Sequence, residues 1–83
     1  MPLYIDTHGH IPGITKEAAA QAHDADLKAQ EKYGVRYLRY WVDTNAGKVF
    51  CLLEAPNKEA ANAVHREAHG LLADDIAEVI EGV

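Results

Sequence analysis

The stretch VRYLRYWVDTNAGKVFCLLEA, Val35–Ala55, decides the fold. Its two arms are rich in β-branched and aromatic residues, which suit a pleated, half-buried surface. Between them DTNAG, Asp43–Gly47, has the composition of a hairpin tip. In the first arm Leu38, Tyr40 and Val42 alternate with Tyr37, Arg39, Trp41 and Asp43, so the two sets lie on opposite faces. The second arm, KVFCLLEA, is almost continuously apolar, which predicts a central strand whose register the pattern leaves open. Pro56 ends it.

A helical pattern flanks the hairpin on each side. KEAAAQAHDADLKAQEKY, Lys16–Tyr33, follows Thr15, a good N-cap, and carries the stripe Ala18, Ala22, Ala25, Ala29, Tyr33. Gly34 suits the left-handed position that closes it. KEAANAVHREAHGLL, Lys58–Leu72, follows a second cap, Asn57, and is expected to bury Ala61, Val64, Ala68 and Leu71. Beyond the helices, PLYIDTH at Pro2–His8 alternates Leu3, Ile5 and Thr7 with Tyr4, Asp6 and His8, as a strand does. The last run, DIAEVIEGV, 75–83, is expected to be a strand, with an extension of the second helix as the alternative.

The order is βαββαβ in a single domain, 1–83. With right-handed crossovers this is the ferredoxin-like α+β fold, an antiparallel sheet with two helices on one face. The uncovered face is expected to carry Tyr4, Asp6, His8, Tyr37, Arg39 and Trp41 and to serve as a dimer surface or a pocket. The assembly predicted is a dimeric α/β sandwich or barrel. Size points the same way: a chain of 83 residues buries only about 60–65% of its unfolded surface, and such domains gain stability by pairing.

Composition excludes several classes of function. A net charge of -5 argues against nucleic acid, which demands a basic patch. No apolar run approaches the roughly 20 residues of a membrane span. The start, MPLYIDTHGH, lacks the basic and long apolar segments of a secretory leader, so a cytoplasmic location is expected. The single cysteine, Cys51, cannot form an internal disulfide and reads as a small buried hydrophobe.

The five histidines carry the functional signal. HGH places His8 and His10 together, and HREAH places His65 and His69 one helical turn apart, within reach of one ion. The topology brings the end of the first strand and the end of the second helix to one pole of the domain. His8, His10, His65 and His69 are therefore the metal-ligand candidates, with Asp6, His23 and Asp26 as secondary ones. Imidazole suits nickel, copper, zinc and iron and is a poor ligand for magnesium or calcium. A plain alternative exists for the helical pair, because the helix dipole favours charged histidine near a C-terminus; the convergence of two pairs is what argues for metal. A zinc-protease H-E-x-x-H motif is excluded, since Arg66 stands where the glutamate is required and Glu67 lies about 200° round the helix from His65. No phosphate-binding loop or Ser-His-Asp constellation is present, no catalytic residue is assigned, and the chain reads as a binding protein rather than an enzyme.

The segments AHDADLKAQEKYGV, VDTNAGKVFCLLEAPNKEA and VHREAHGLLADDIAEV, in that order after DTH, resemble a family of small bacterial ferredoxin-like proteins of largely unknown function that includes a nickel-binding, nickel-responsive member. The resemblance implies the same fold, a homodimer, and nickel held for sequestration, detoxification or metal response. Nickel is accordingly the first choice of ion, with zinc or copper as alternatives. The competing reading is a dimeric α/β-barrel-type protein that binds, or acts on, a small organic molecule in a pocket on the open sheet face.

Overall fold

The computed structural model describes residues 1–82; Val83, the end of the run assigned to the last strand, lies outside the described residues. The elements follow the expected order: β1 Leu3–His8, α1 Lys16–Ala29, a 3-10 turn Glu31–Tyr33, β2 Arg36–Asp43, β3 Lys48–Glu54, α2 Lys58–Ala68 and β4 Asp75–Val79. The strands form one sheet in the order β2-β3-β1-β4, each pair antiparallel. This is the ferredoxin-like α+β fold.

The two N-caps set where the helices begin. The Thr15 hydroxyl accepts the Ala18 amide at 3.0 Å, and the Asn57 side chain accepts the Ala60 amide at 2.8 Å. Gly34, at φ 68°, ends the 3-10 turn after α1. The second helix is shorter than its sequence pattern. The Gly70 amide, at φ 79°, reaches back to the His65 carbonyl at 2.8 Å, a left-handed closure that leaves Leu71 and Leu72 outside the helix and exposed. The last run pairs with β1 as a strand and does not extend α2.

The strand faces differ from expectation in two places. On β1 the side chains buried under the helices are Tyr4, Asp6 and His8, while Leu3, Ile5 and Thr7 are only half-buried. The physical reason is that the helix layer supplies polar partners for Asp6 and His8, so the polar side of the strand turns inward. On β2 the pairing with β3 shifts between Tyr37 and Arg39. The irregularity inserts one residue, Leu38, and reverses the alternation after it. Tyr37, Tyr40 and Val42 therefore join the helix-covered side, while Arg39 and Trp41 remain outside. The open face thus carries neither Tyr4, Asp6, His8 nor Tyr37. It is built from Leu3 and Ile5 with their cross-strand neighbours Leu52, Val79 and Ala77, and from the Trp41–Phe50 pair.

Candidate metal centre

Cross-strand register builds the floor of the site. Asp6 on β1 lies directly opposite Cys51 on β3, and Tyr40 on β2 opposite Cys51 on its other side. Opposed residues on one sheet face hold their Cβ atoms about 5 Å apart, so Asp6, Cys51 and the next inward residue, His8, form one patch. Tyr37 adds its hydroxyl from β2. The roof comes from the helices: His65 descends from α2 and Asp26 from α1.

His65 is the hub. Its Nε2 lies 2.8 Å from Asp6 Oδ2 and its Nδ1 lies 3.0 Å from Asp26 Oδ1, so the ring bridges two carboxylates. All three residues are at most 2% exposed. A carboxylate accepts and does not donate, so both ring nitrogens carry protons and His65 is an imidazolium. Burial opposes that charge, but the hydrogen bonds to Asp26 and Asp6 overcome it and raise the group from 6.5 to about 9. The carboxylates respond in the opposite sense. Burial disfavours the charge of Asp6, yet the hydrogen bond from His65 and the nearness of His8 hold it down at about 2. Asp26 is likewise lowered, against its burial, by bonds from His65 and His69.

His8 and His69 flank this relay. His8 Nε2 lies 3.4 Å from Asp6 Oδ1 and 3.3 Å from His65 Nε2. His69 Nδ1 accepts the Leu71 amide at 3.1 Å, which leaves its Nε2 to donate to Asp26 Oδ1 at 3.0 Å. The Tyr37 hydroxyl lies 2.9 Å from His65 Nε2 and 3.2 Å from both Asp6 Oδ2 and the Ala61 carbonyl. Its ionisation is pushed far up, first by burial and then by the Asp6 charge. The Cys51 thiol is pushed up by the same two causes, so without a cation beside it the group stays protonated.

Among the described residues, two groups of side chains could hold a metal ion. Asp6, His8, Cys51 and His65, all buried, offer one donor atom each with every donor within 4.8 Å of the others; Asp26, His65 and His69 form a second group by the same measure. The residues fit a cation. Asp6 Oδ1 is buried without a hydrogen-bond partner, and two carboxylates share a single imidazolium. Nitrogen, thiolate and carboxylate donors together are the set that selects first-row transition metals.

The histidines and the secondary candidates fall as follows. His8, His65 and His69 come together at one pole with Asp6 and Asp26. His10 is exposed on the loop after β1 and belongs to neither group. His23 lies against Tyr40, ring centroids 4.6 Å apart, with Nδ1 buried and unpaired, and is also in neither group. His65 is a core residue. Sequence reasoning did not find Cys51 and Tyr37. The signal for Cys51 was the β1–β3 register, which pairs strands distant in sequence and is fixed by no turn between them.

The relay sets how stability depends on pH. A carboxyl lowered by folding contributes stability above its unfolded value, 3.8, that is lost as pH falls through the folded value of about 2. A histidine raised by folding contributes below its unfolded value, 6.5, and that part is lost as pH rises through about 9. Metal-free protein should therefore be most stable between pH 4 and 6.5 and lose on the order of 3 kcal/mol toward pH 9. Urea denaturation across this range in a chelating buffer measures the slope, and His65→Gln should flatten its alkaline side.

Comparison with known proteins places the chain. No curated protein matches it. The crystal structure of SCO4226 from Streptomyces coelicolor A3(2) superposes with a TM-score of 0.91 at 37% identity, covering 98% of this chain and 99% of that one. A family described as nickel-responsive protein, SCO4226-like, matches residues 4–79. The match spans every strand and helix from Tyr4 to Val79, and the chain belongs to the nickel-responsive SCO4226-like family.

Proposed function

We propose that this protein binds a divalent transition-metal ion in its polar core, nickel in the first place, and that it serves to sequester the metal, detoxify it or respond to it. The observation that carries the reading is the buried Asp6, His8, Cys51 and His65 group with its unpartnered carboxylate oxygen. The family description supports nickel over zinc or copper. With the ion bound by His65 Nε2, the Nδ1 proton still goes to Asp26, the carboxylate–histidine–metal arrangement that orients and strengthens imidazole ligands. His69 and Asp26 supply the alternative placement on the other side of the ring. His10, exposed, would serve only an ion at the surface. A reduced thiol as ligand suits a cytoplasmic protein.

Binding requires His65 to lose its Nε2 proton and Cys51 to ionise, so uptake releases protons and tightens as pH rises. Calorimetric titration of chelator-stripped protein should show nickel uptake that strengthens from pH 6 to 8, with a near-ultraviolet thiolate-to-nickel absorption. Cys51→Ser should abolish that absorption, and Asp6→Ala should weaken uptake at least tenfold. Absence of uptake of nickel, zinc or copper would end the metal reading. Uptake unchanged in Asp6→Ala and Cys51→Ser, but lost in His69→Ala, would move the ion to the Asp26 side.

The same proposal includes a homodimer formed through the open sheet face. Leu3, Ile5, Phe50 and Leu52 stand there half-buried, and Trp41 is 50% exposed. An apolar face on so small a domain matches a second copy of itself, paired about a twofold axis. Sedimentation equilibrium should give twice the chain mass, and Leu52→Glu should give the monomer; a wild-type monomer at micromolar concentration would contradict this assembly.

A further inference from the structure

Beside the polar cluster, between α1 and the sheet, lies a cavity of about 100 Å³. Small residues create it: α1 presents Ala18, Ala19 and Ala22 where larger side chains would fill the space. Its walls are mostly apolar; His23 and Tyr40 interrupt them on one side, and His8, Asp26, Cys51, His65 and His69 of the polar cluster on the other. Asp26 is already engaged by His65 and His69. His23 is not: its Nδ1 is buried with no hydrogen-bond partner, although its ring is fixed against Tyr40. A buried polar atom left unpaired costs about 1–3 kcal/mol. The cavity rim is reachable, since Ala18 and Leu71 are exposed.

We propose that this cavity binds a small neutral organic molecule with an apolar body and one hydrogen-bonding end, held at His23. The volume sets the size. An apolar cavity of about 150 Å³ accepts benzene, so this one suits about four to six non-hydrogen atoms. Charge sets the class. Among the described residues no lysine or arginine lines the cavity, and the His65 imidazolium that does is already held between Asp6 and Asp26, so a carboxylate or phosphate finds no free counter-ion. The site rests on the cavity and on His23 and needs no metal ion, although its walls share His8, Cys51, His65 and His69 with the candidate metal groups, and it lies on the covered side of the sheet, away from the face assigned to the dimer.

The test uses metal-free, 15N-labelled protein titrated with pyrazole, 1-butanol and butyrate. Both neutral probes should give saturable shifts at the amides of Ala18, Ala22, His23 and Tyr40, and butyrate should bind at least tenfold more weakly. Ala18→Leu, which fills the exposed rim, should abolish the shifts. His23→Phe, which keeps the ring on Tyr40 but removes the nitrogen, should weaken both probes at least tenfold and carries the test if Ala18→Leu folds poorly. Absence of saturable shifts, equal binding of butyrate, or unchanged binding in His23→Phe overturns the proposal. Nickel titration of Ala18→Leu, expected to match wild type, keeps this outcome separate from any failure of the metal reading.

Discussion

One imidazolium between two carboxylates holds the centre of this fold. His65 is the only group through which the sheet, by way of Asp6, and the first helix, by way of Asp26, are tied to the second helix by charge-assisted hydrogen bonds among the described buried residues. Burying such charges is unfavourable unless each is paired, and removing one partner from a buried pair typically costs about 3–5 kcal/mol. The three elements are therefore held in one relative placement. A hydrophobic trio of equal volume could supply as much stability. It could not offer donors to a cation.

That polar core has consequences on both sides of the sheet. Inside, Asp6 and His8 occupy positions that apolar side chains would otherwise fill, and Cys51 and Tyr37 pack beside them. Outside, the strand alternation sends Leu3 and Ile5 to the uncovered face, where they meet Leu52 on β3. On β1 the apolar side chains face away from the helices, and the polar ones lie beneath them. A second copy of the chain would bury the first. A divalent ion would occupy the second, replacing the proton on His65 Nε2 and the proton on Cys51 with no change in net charge, and leaving Asp26 as the group that orients the ring.

Much of the fold was legible in the chain. The caps Thr15 and Asn57, the hairpin at Asp43–Gly47 and the alternation of Leu3–His8 each act locally, and each appears where local chemistry puts it. The strand faces were less legible, because they depend on events that sequence spacing does not record. The irregularity at Leu38 reverses the sides of β2 after Tyr37, so a regular alternation misplaces that tyrosine. On β1 the usual rule that apolar side chains turn inward fails, since Asp6 and His8 have partners waiting in the helix layer. For the candidate site, the histidine spacing pointed to the pole where the structure brings His8, His65 and His69 together. Cys51 stayed hidden because its neighbour Asp6 lies 45 residues away and meets it only through strand register.

The protonation state of His65 is the quantity on which this account turns. Long-range proton–nitrogen correlation spectra of the metal-free protein at pH 7, with the ring assigned through His65→Gln, read it directly. The expected result is two protonated ring nitrogens that persist until the pH approaches 9, and the loss of one of them when nickel is added. A neutral ring at pH 7, with a single protonated nitrogen and an ordinary titration near 6.5, would contradict the account.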